Sequence, residues 1–194
     1  MDVVQYNYKN YNKADVSPLI LCINTLGENL IGLELGVYQA SSTLTILHNC
    51  NIKKLYAVDN WKPYYDFLKD KPDGKPAYFV DEKNSEINRF FSLHNIKYSG
   101  CSEKIEIIEE DSLIAINKLK DDSLDFVFFD SMMTKEQTYK EAYAVYPKIK
   151  KGGFFTGHDS NCIEQVIEPI KEVMKEFNNK NKLIDYNNCF LFKC

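Results

Sequence analysis

Five short apolar runs, Leu30 to Leu35, Leu55 to Asp59, Ile105 to Glu109, Asp125 to Asp130 and Gly153 to Thr156, alternate along this chain with stretches of helical periodicity. Runs of this length and character read as strands buried on both faces. The helical stretches run over Ser41 to Asn49, Lys83 to His94, Leu113 to Leu119, Glu136 to Ile149 and Ile163 to Phe177. Strands separated by helices require crossovers, so the spacing predicts a doubly wound, Rossmann-like α/β fold with a largely parallel sheet. The tail breaks this rhythm. Leu183 to Tyr186 and Phe190 to Phe192, separated by Asn187-Asn188, read as a closing antiparallel hairpin. With 194 residues and 44% hydrophobic content, the chain can bury one full core.

Two segments stand outside the alternation. The first dozen residues are polar and rich in Tyr and Asn, an arm leading to Ser17-Pro18, which reads as N-cap and first residue of a helix to about Asn29. The expected division is therefore an arm and helix over 1–29 and the α/β domain over 30–194. Within that domain, about 61–82 form a lid-like insertion. Trp61 to Asp81 carries three prolines and the turn tetrad Lys71-Pro72-Asp73-Gly74, directly after the second strand. Its aromatic residues Trp61, Tyr64, Tyr65, Tyr78 and Phe79 suit either substrate contact or packing of the loop onto the body.

Composition narrows the function classes. The net charge of −4 provides no basic face for phosphates, which argues against nucleic acid and for a small-molecule substrate. The six cysteines stand at wide, irregular spacings without a CxxC pair, as reduced thiols do in a cytoplasmic protein. No apolar run is long enough to span a membrane and no leader pattern opens the chain, so the expected location is cytoplasmic. The Tyr-rich arm and the insertion are surfaces through which a homodimer could form.

The segment Ile31 to Ser42, Ile-Gly-Leu-Glu-Leu-Gly-Val-Tyr-Gln-Ala-Ser-Ser, is a nucleotide-binding strand-turn-helix. Gly36 permits a tight turn, and a helix from about Ser41 directs its first N–H groups at a ligand. Ligands of such sheets bind beyond the carboxyl ends of the strands. In this chain those ends are polar throughout: Glu34 and Gly36, Asp59, Glu110 and Asp111, Asp130, and His158-Asp159. Any one acid could be a helix cap, but acids gathered at one edge repel unless a ligand sits among them. Asp59 follows Gly36 at the distance that puts a carboxylate on ribose hydroxyls. The full G-x-G-x-x-G is missing, and Glu34 would repel a pyrophosphate while attracting an ammonium. This shifts the reading from NAD to S-adenosylmethionine.

Taken in order, Leu33 to Leu44, Tyr56 to Trp61, Ile107 to Ser112, Leu124 to Asp130 and Lys151 to Asp159 resemble a class I S-adenosylmethionine-dependent methyltransferase. More narrowly, they are similar to the small enzymes grouped with macrolide-sugar O-methyltransferases and cephalosporin-hydroxylase-like proteins. The resemblance implies a seven-stranded sheet with a last antiparallel strand. It puts Glu34 and Gly36 at the methionine end, Asp59 on the ribose, Asp111 and Ser112 near the adenine, and Asp130 beside the sulfonium and the acceptor. Tyr38, Ser41 and Asn60 are further cofactor-contact candidates.

Methyl transfer to a small hydroxylated molecule or sugar needs alignment and an activated oxygen. One route is a divalent cation such as Mg²⁺ held by Asp130 and Asp159. The other is His158 as general base. Relatives carry a His shortly after the fourth-strand acid, whereas this chain reads Asp130-Ser-Met-Met-Thr-Lys-Glu-Gln, so Met132 and Met133 stand where a base is expected. Lys135 is a weaker substitute. That departure keeps a non-catalytic S-adenosylmethionine-binding protein as an alternative, beside an NAD-dependent oxidoreductase, which Glu34 and the missing glycines disfavour.

Overall fold

The computed structural model describes residues 13–63, 82–131 and 134–194. Its seven strands are β1 (Leu30–Leu35), β2 (Ile52–Val58), β3 (Ile105–Ile108), β4 (Leu124–Phe129), β5 (Ile149–His158), β6 (Ile184–Tyr186) and β7 (Cys189–Lys193). They form one sheet in the order β3-β2-β1-β4-β5-β7-β6. The first five strands are mutually parallel; β7 runs antiparallel to β5 and to β6. Strand order reverses between β1 and β4, which opens a crevice at the carboxyl edge between them.

Register makes this edge level. Leu35 pairs with Val58 and with Phe129, Val58 with Ile108, and Phe129 with Gly157. Gly36, Asp59, Glu109, Asp130 and His158, the residues next in line, therefore leave the sheet along one rim.

Six α-helices flank the sheet: α1 (Lys13–Asn24), α2 (Ser41–Asn49), α3 (Glu82–Lys97), α4 (Ser112–Lys118), α5 (Lys135–Val145) and α6 (Glu168–Glu176). Two cores result. Residues of α4, α5 and α6 pack with Leu33, Leu35, Val127, Phe129 and Phe155 on one face, while α1 and α2 pack with Leu55, Phe126 and Phe128 on the other. The odd and even positions of β4 thus serve opposite faces, as a strand buried on both sides must.

The helices depart from expectation in three places. α1 covers Lys13–Asn24, not Ser17 to Asn29: Pro18 falls inside it, and the chain turns left-handed at Gly27 and Asn29. The stretch expected to be helical to Ile149 leaves α5 at Val145 and tightens into a 3-10 turn over Tyr146–Lys148, because Pro147 cannot continue the hydrogen-bond ladder. Pro169 likewise divides Ile163 to Phe177 into a π-helical turn (Ile163–Ile167) and α6. The residues of the insertion from 64 to 81, with Tyr64, Tyr65, Tyr78 and Phe79, and the pair Met132 and Met133 lie outside the described residues.

Candidate active site

The crevice is built around Gly36. Its φ is +87°, and a Cβ there would meet the carbonyl oxygen of Asp130 at 2.0 Å. Asp130 in turn donates its N–H to Leu35 O at 2.8 Å, so the turns after β1 and β4 are in direct contact. Tyr38 (φ 52°), Ala40 (φ 65°) and Trp61 (φ 43°) also adopt left-handed backbone beside this turn, a conformation that costs a side-chain-bearing residue about 1–2 kcal/mol. Ala40 stands where the third glycine of a full fingerprint would be and keeps a glycine-like conformation. It is the N-cap of α2 and provides no side-chain cap to the first N–H groups of that helix, from Ser41 on.

Asp59 holds the turn together. Its Oδ2 accepts from the N–H groups of Val37 and Tyr38, each at 2.9 Å, and Oδ1 accepts from Trp61 N–H at 2.8 Å. Burial raises its pKa and these backbone donors oppose the rise. The Asn60 N–H is a further backbone donor to this carboxylate. Asn60 Oδ1 accepts from Lys62 N–H at 2.9 Å. Trp61 is buried against Val37, Ala40 and Ala57, and its indole N–H donates to Tyr38 O at 2.8 Å. Its ring packs the turn and is not offered to a substrate.

Glu34 is fully buried on β1. Its Oε1 accepts from Ser42 Oγ at 2.5 Å, while Oε2 has no partner among the described residues. Burial pushes its pKa up to about 7, against the Ser42 hydroxyl, which pulls it down. A buried oxygen without a partner beside an uncapped helix start suits a ligand that carries both a hydrogen-bond donor and a carboxylate, as the amino-acid end of S-adenosylmethionine does.

At the far side of β2 the acids have other partners. Glu109 pairs with Arg89, and Glu110 with Lys118. Asp111 is the N-cap of α4, accepting from Leu113 N–H at 3.0 Å and Ile114 N–H at 3.3 Å. Ser112 donates to Glu141 on α5. At β3, ion pairs and capping thus engage each carboxylate.

At the other end, β4 and β5 bring three groups together. The imidazole Nδ1 of His158 lies 3.1 Å from Asp159 Oδ1 and 3.8 Å from Asp130 Oδ1. One potential ligand atom from each of the three residues falls within 4.8 Å of the others, a grouping that could hold a metal ion. Burial raises the Asp130 pKa well above the carboxylate norm; His158 opposes the rise, and Asp159 and Glu34 add to it. For Asp159, burial works upward but the hydrogen bonds and charge of His158, with Asn188, leave it below its usual value. Asp159 too is left-handed, at φ 59°.

A family model described as "Methyltransferase domain" matches residues 33–160, which contain Glu34, Gly36, Asp59, Asp130, His158 and Asp159. The chain belongs to this methyltransferase family. Membership makes it an S-adenosylmethionine-dependent methyltransferase and not a nicotinamide enzyme. Solved structures share the fold. The O-methyltransferase NovP superposes with a TM-score of 0.63 at 18% identity over 92% of this chain and 78% of its own. SMU.1697c of Streptococcus mutans, assigned as a methyltransferase and solved with S-adenosylhomocysteine, gives 0.59 at 11% identity over 92% of this chain and 97% of its own. A Galdieria sulphuraria protein assigned as a sarcosine dimethylglycine methyltransferase gives 0.58 at 12% identity over 88% of this chain, which spans only 60% of that protein. No curated protein sequence matches the chain. No helix among the described residues of the methyltransferase is long and apolar enough to cross a membrane.

Two residues of this methyltransferase site escape a reading of strand ends. Glu141, buried on α5, accepts from Ser112, Ser131 and, at 2.7 Å, Gln137. It therefore ties the turn after β3 to the turn after β4. Asn188, in the β6–β7 turn, donates to Asp159 Oδ1 at 3.1 Å. Only a buried acid within an otherwise polar helix, and an Asn pair in a hairpin turn, mark them in the sequence. Lys135, the other base considered, pairs instead with Glu168 at 3.2 Å on the surface.

Proposed function

We propose that this methyltransferase acts on a hydroxyl oxygen of a small molecule or sugar, at an acceptor site bounded by Asp130, His158 and Asp159. The observation that carries the reading is the convergence of these three side chains at the ends of β4 and β5, beside the Gly36 turn. S-adenosylmethionine, when bound, supplies an electrophilic methyl group on a sulfonium. Glu34 and the start of α2, with Tyr38 and Ser41, receive its amino-acid end. Asp59 and Asn60 hold the ribose, Asp111 and Ser112 border the adenine, and Asp130 faces the methyl. Two carboxylates with His158 suit a divalent cation such as Mg²⁺, which would lower the pKa of an acceptor hydroxyl. His158 is the proton acceptor of the same site, the role left open by Met132 and Met133. The O-methyltransferase activity named for NovP agrees with this chemistry.

Calorimetry of S-adenosylhomocysteine with wild type, Asp130→Asn and Asp159→Asn, with and without Mg²⁺, tests the arrangement. Cofactor heat should persist in all three, and Mg²⁺-dependent heat should vanish in the two variants. Turnover with S-adenosylmethionine and small vicinal diols should fall about 100-fold or more in Asp130→Asn. Absence of cofactor binding to wild type would overturn the reading of the crevice. Cofactor binding without turnover on any hydroxylated acceptor would instead favour a non-catalytic binding protein.

A further inference from the structure

Helix α3 is built the wrong way round for a helix that only covers a sheet. Its buried residues are Ser85, Asn88, Ser92, Asn95 and one apolar side chain, Ile96, while Ile87 and Phe90 on the outer face are 40% and 62% exposed. A surface helix is ordinarily anchored by an apolar inner stripe, and a buried amide costs free energy unless it is hydrogen-bonded. Both buried amides of α3 are bonded, and both to one residue. Gln39 Nε2 donates to Asn88 Oδ1 at 2.8 Å, and Asn95 Nδ2 donates to Gln39 O at 3.0 Å. Beside them Ile96 packs with Val37, Ala40, Ala57 and Trp61.

Gln39 stands between Tyr38 (φ 52°) and Ala40 (φ 65°), the left-handed residues that lead into α2. Such backbone persists at residues with side chains only where the surroundings over-determine it. On one side Asp59 accepts from the N–H groups of Val37 and Tyr38, and the Trp61 indole donates to the Tyr38 carbonyl. On the other, α3 takes the next residue by carbonyl and side chain together. The turn is clamped between them.

We propose that Asn88 and Asn95 are positioning residues of the cofactor site, which act through Gln39 to keep the Tyr38–Ala40 turn, and with it the start of α2, in the shape that receives S-adenosylmethionine. This rests on the proposed reading of the crevice as the cofactor site; the grip on Gln39 is independent of it. The two asparagines act by different atoms. Asn95 uses a backbone carbonyl, which any residue at position 39 supplies, whereas Asn88 uses the Gln39 side chain. The coupling is reciprocal: a cofactor that binds the clamped turn more tightly must also hold α3 more firmly in place.

Calorimetric titration of S-adenosylhomocysteine into the full-length protein, beside thermal denaturation of the unliganded protein, tests the clamp. Leucine has the branching and the heavy-atom count of asparagine, so Asn88→Leu and Asn95→Leu remove the polar grip while giving α3 an apolar contact. Each should weaken S-adenosylhomocysteine about tenfold, as the competent turn becomes a minor form. The melting temperature should stay within about 3 °C of wild type, since the apolar contact offsets the lost hydrogen bond. In a Gln39→Ala background the effect of Asn88→Leu should disappear and that of Asn95→Leu persist, because alanine keeps the carbonyl and lacks the amide. Hydrogen exchange gives a readout without substitution in α3. Saturating S-adenosylhomocysteine should slow the α3 amides of wild type more than those of α6, which covers the other face of the sheet. If a leucine variant does not fold, this comparison decides alone. Variants that bind as wild type does, an Asn88→Leu effect that survives Gln39→Ala, or α3 exchange indifferent to the ligand would overturn the clamp and leave the crevice reading in place. Failure of wild type to bind S-adenosylhomocysteine would overturn both.

Discussion

Asp59 and Asp130 each follow a strand of the same sheet, on either side of the Gly36 turn, and the fold uses them in opposite ways. The Asp59 carboxylate accepts three backbone N–H groups within 2.9 Å and thereby shapes the turn after β1. The Asp130 carboxylate receives no backbone N–H among the described residues; its nearest partner is His158 Nδ1 at 3.8 Å, with Asp159 and Glu34 as negative neighbours. One end of the crevice is finished by its own hydrogen bonds. At the other end the carboxyl group is buried without such donors among the described residues. Substitutions should therefore separate stability from activity according to which end they touch.

The largest effect should come where the two ends meet. Gly36→Ala places a methyl 2.0 Å from the Asp130 carbonyl oxygen at a φ of +87°, and neither backbone can yield without breaking the Asp130 N–H to Leu35 bond. A loss of at least about 4 kcal/mol in urea denaturation is expected, with S-adenosylhomocysteine binding lost as well. A variant that folds normally and binds would show that the turns are not coupled. Next in size is Asp59→Asn, which directs an NH₂ at backbone donors and should cost about 4 kcal/mol, with or without cofactor. Stability near wild type would mean that Asp59, like Asp130, is held mainly for a ligand.

Glu34 sits between the two behaviours, with one oxygen bonded to Ser42 and the other within no hydrogen-bond geometry among the described residues, though the Thr43 hydroxyl also draws its pKa down. Its folded pKa of about 7 lies above the ordinary 4.5, so the folded state binds more protons than the unfolded state between these values. Stability should be full below about pH 4.5 and decline as pH rises through about 7, by at most about 3 kcal/mol. Glu34→Gln should flatten that decline in denaturation curves from pH 5 to 8 measured without cofactor. An unchanged slope would assign the pH dependence to other groups.

How much of this was legible in the sequence follows the same division. β1 and α2 fall where the apolar run and helical period put them, and the Asn187-Asn188 hairpin closes as its residues suggest. Local pattern suffices there because strand burial and turn chemistry are local properties. It failed where a proline interrupted a periodic stretch, at Pro147 and Pro169. It also said little of why α3 packs, since its buried residues are Ser85, Asn88, Ser92 and Asn95 with Ile96 alone apolar, and Asn88 and Asn95 are hydrogen-bonded to Gln39. The acids at the strand ends were visible, but not whether their oxygens were already committed. Asp111 caps a helix, Glu110 pairs with Lys118, and Asp130 does neither. Glu141 and Asn188 reach the site from remote positions in the chain, and only the sheet order brings them there.

The smallest stability effect, and the one that sharpens the contrast most, is expected for Asp130→Asn. The amide has the carboxylate's shape, carries no charge to be repelled by Asp159 and Glu34, and avoids the burial penalty that raises the Asp130 pKa. Removing a charge from such a place should leave the fold unchanged or stabilise it by about 1 kcal/mol, the usual sign when a site is built for function at the expense of stability. Paired with the loss of turnover expected for the same variant, a slightly higher melting temperature would identify Asp130 as a residue retained for chemistry. A loss comparable to that of Asp59→Asn would show instead that Asp130 is a structural acid like its counterpart, and the cation and acceptor would then have to be sought away from the ends of β4 and β5.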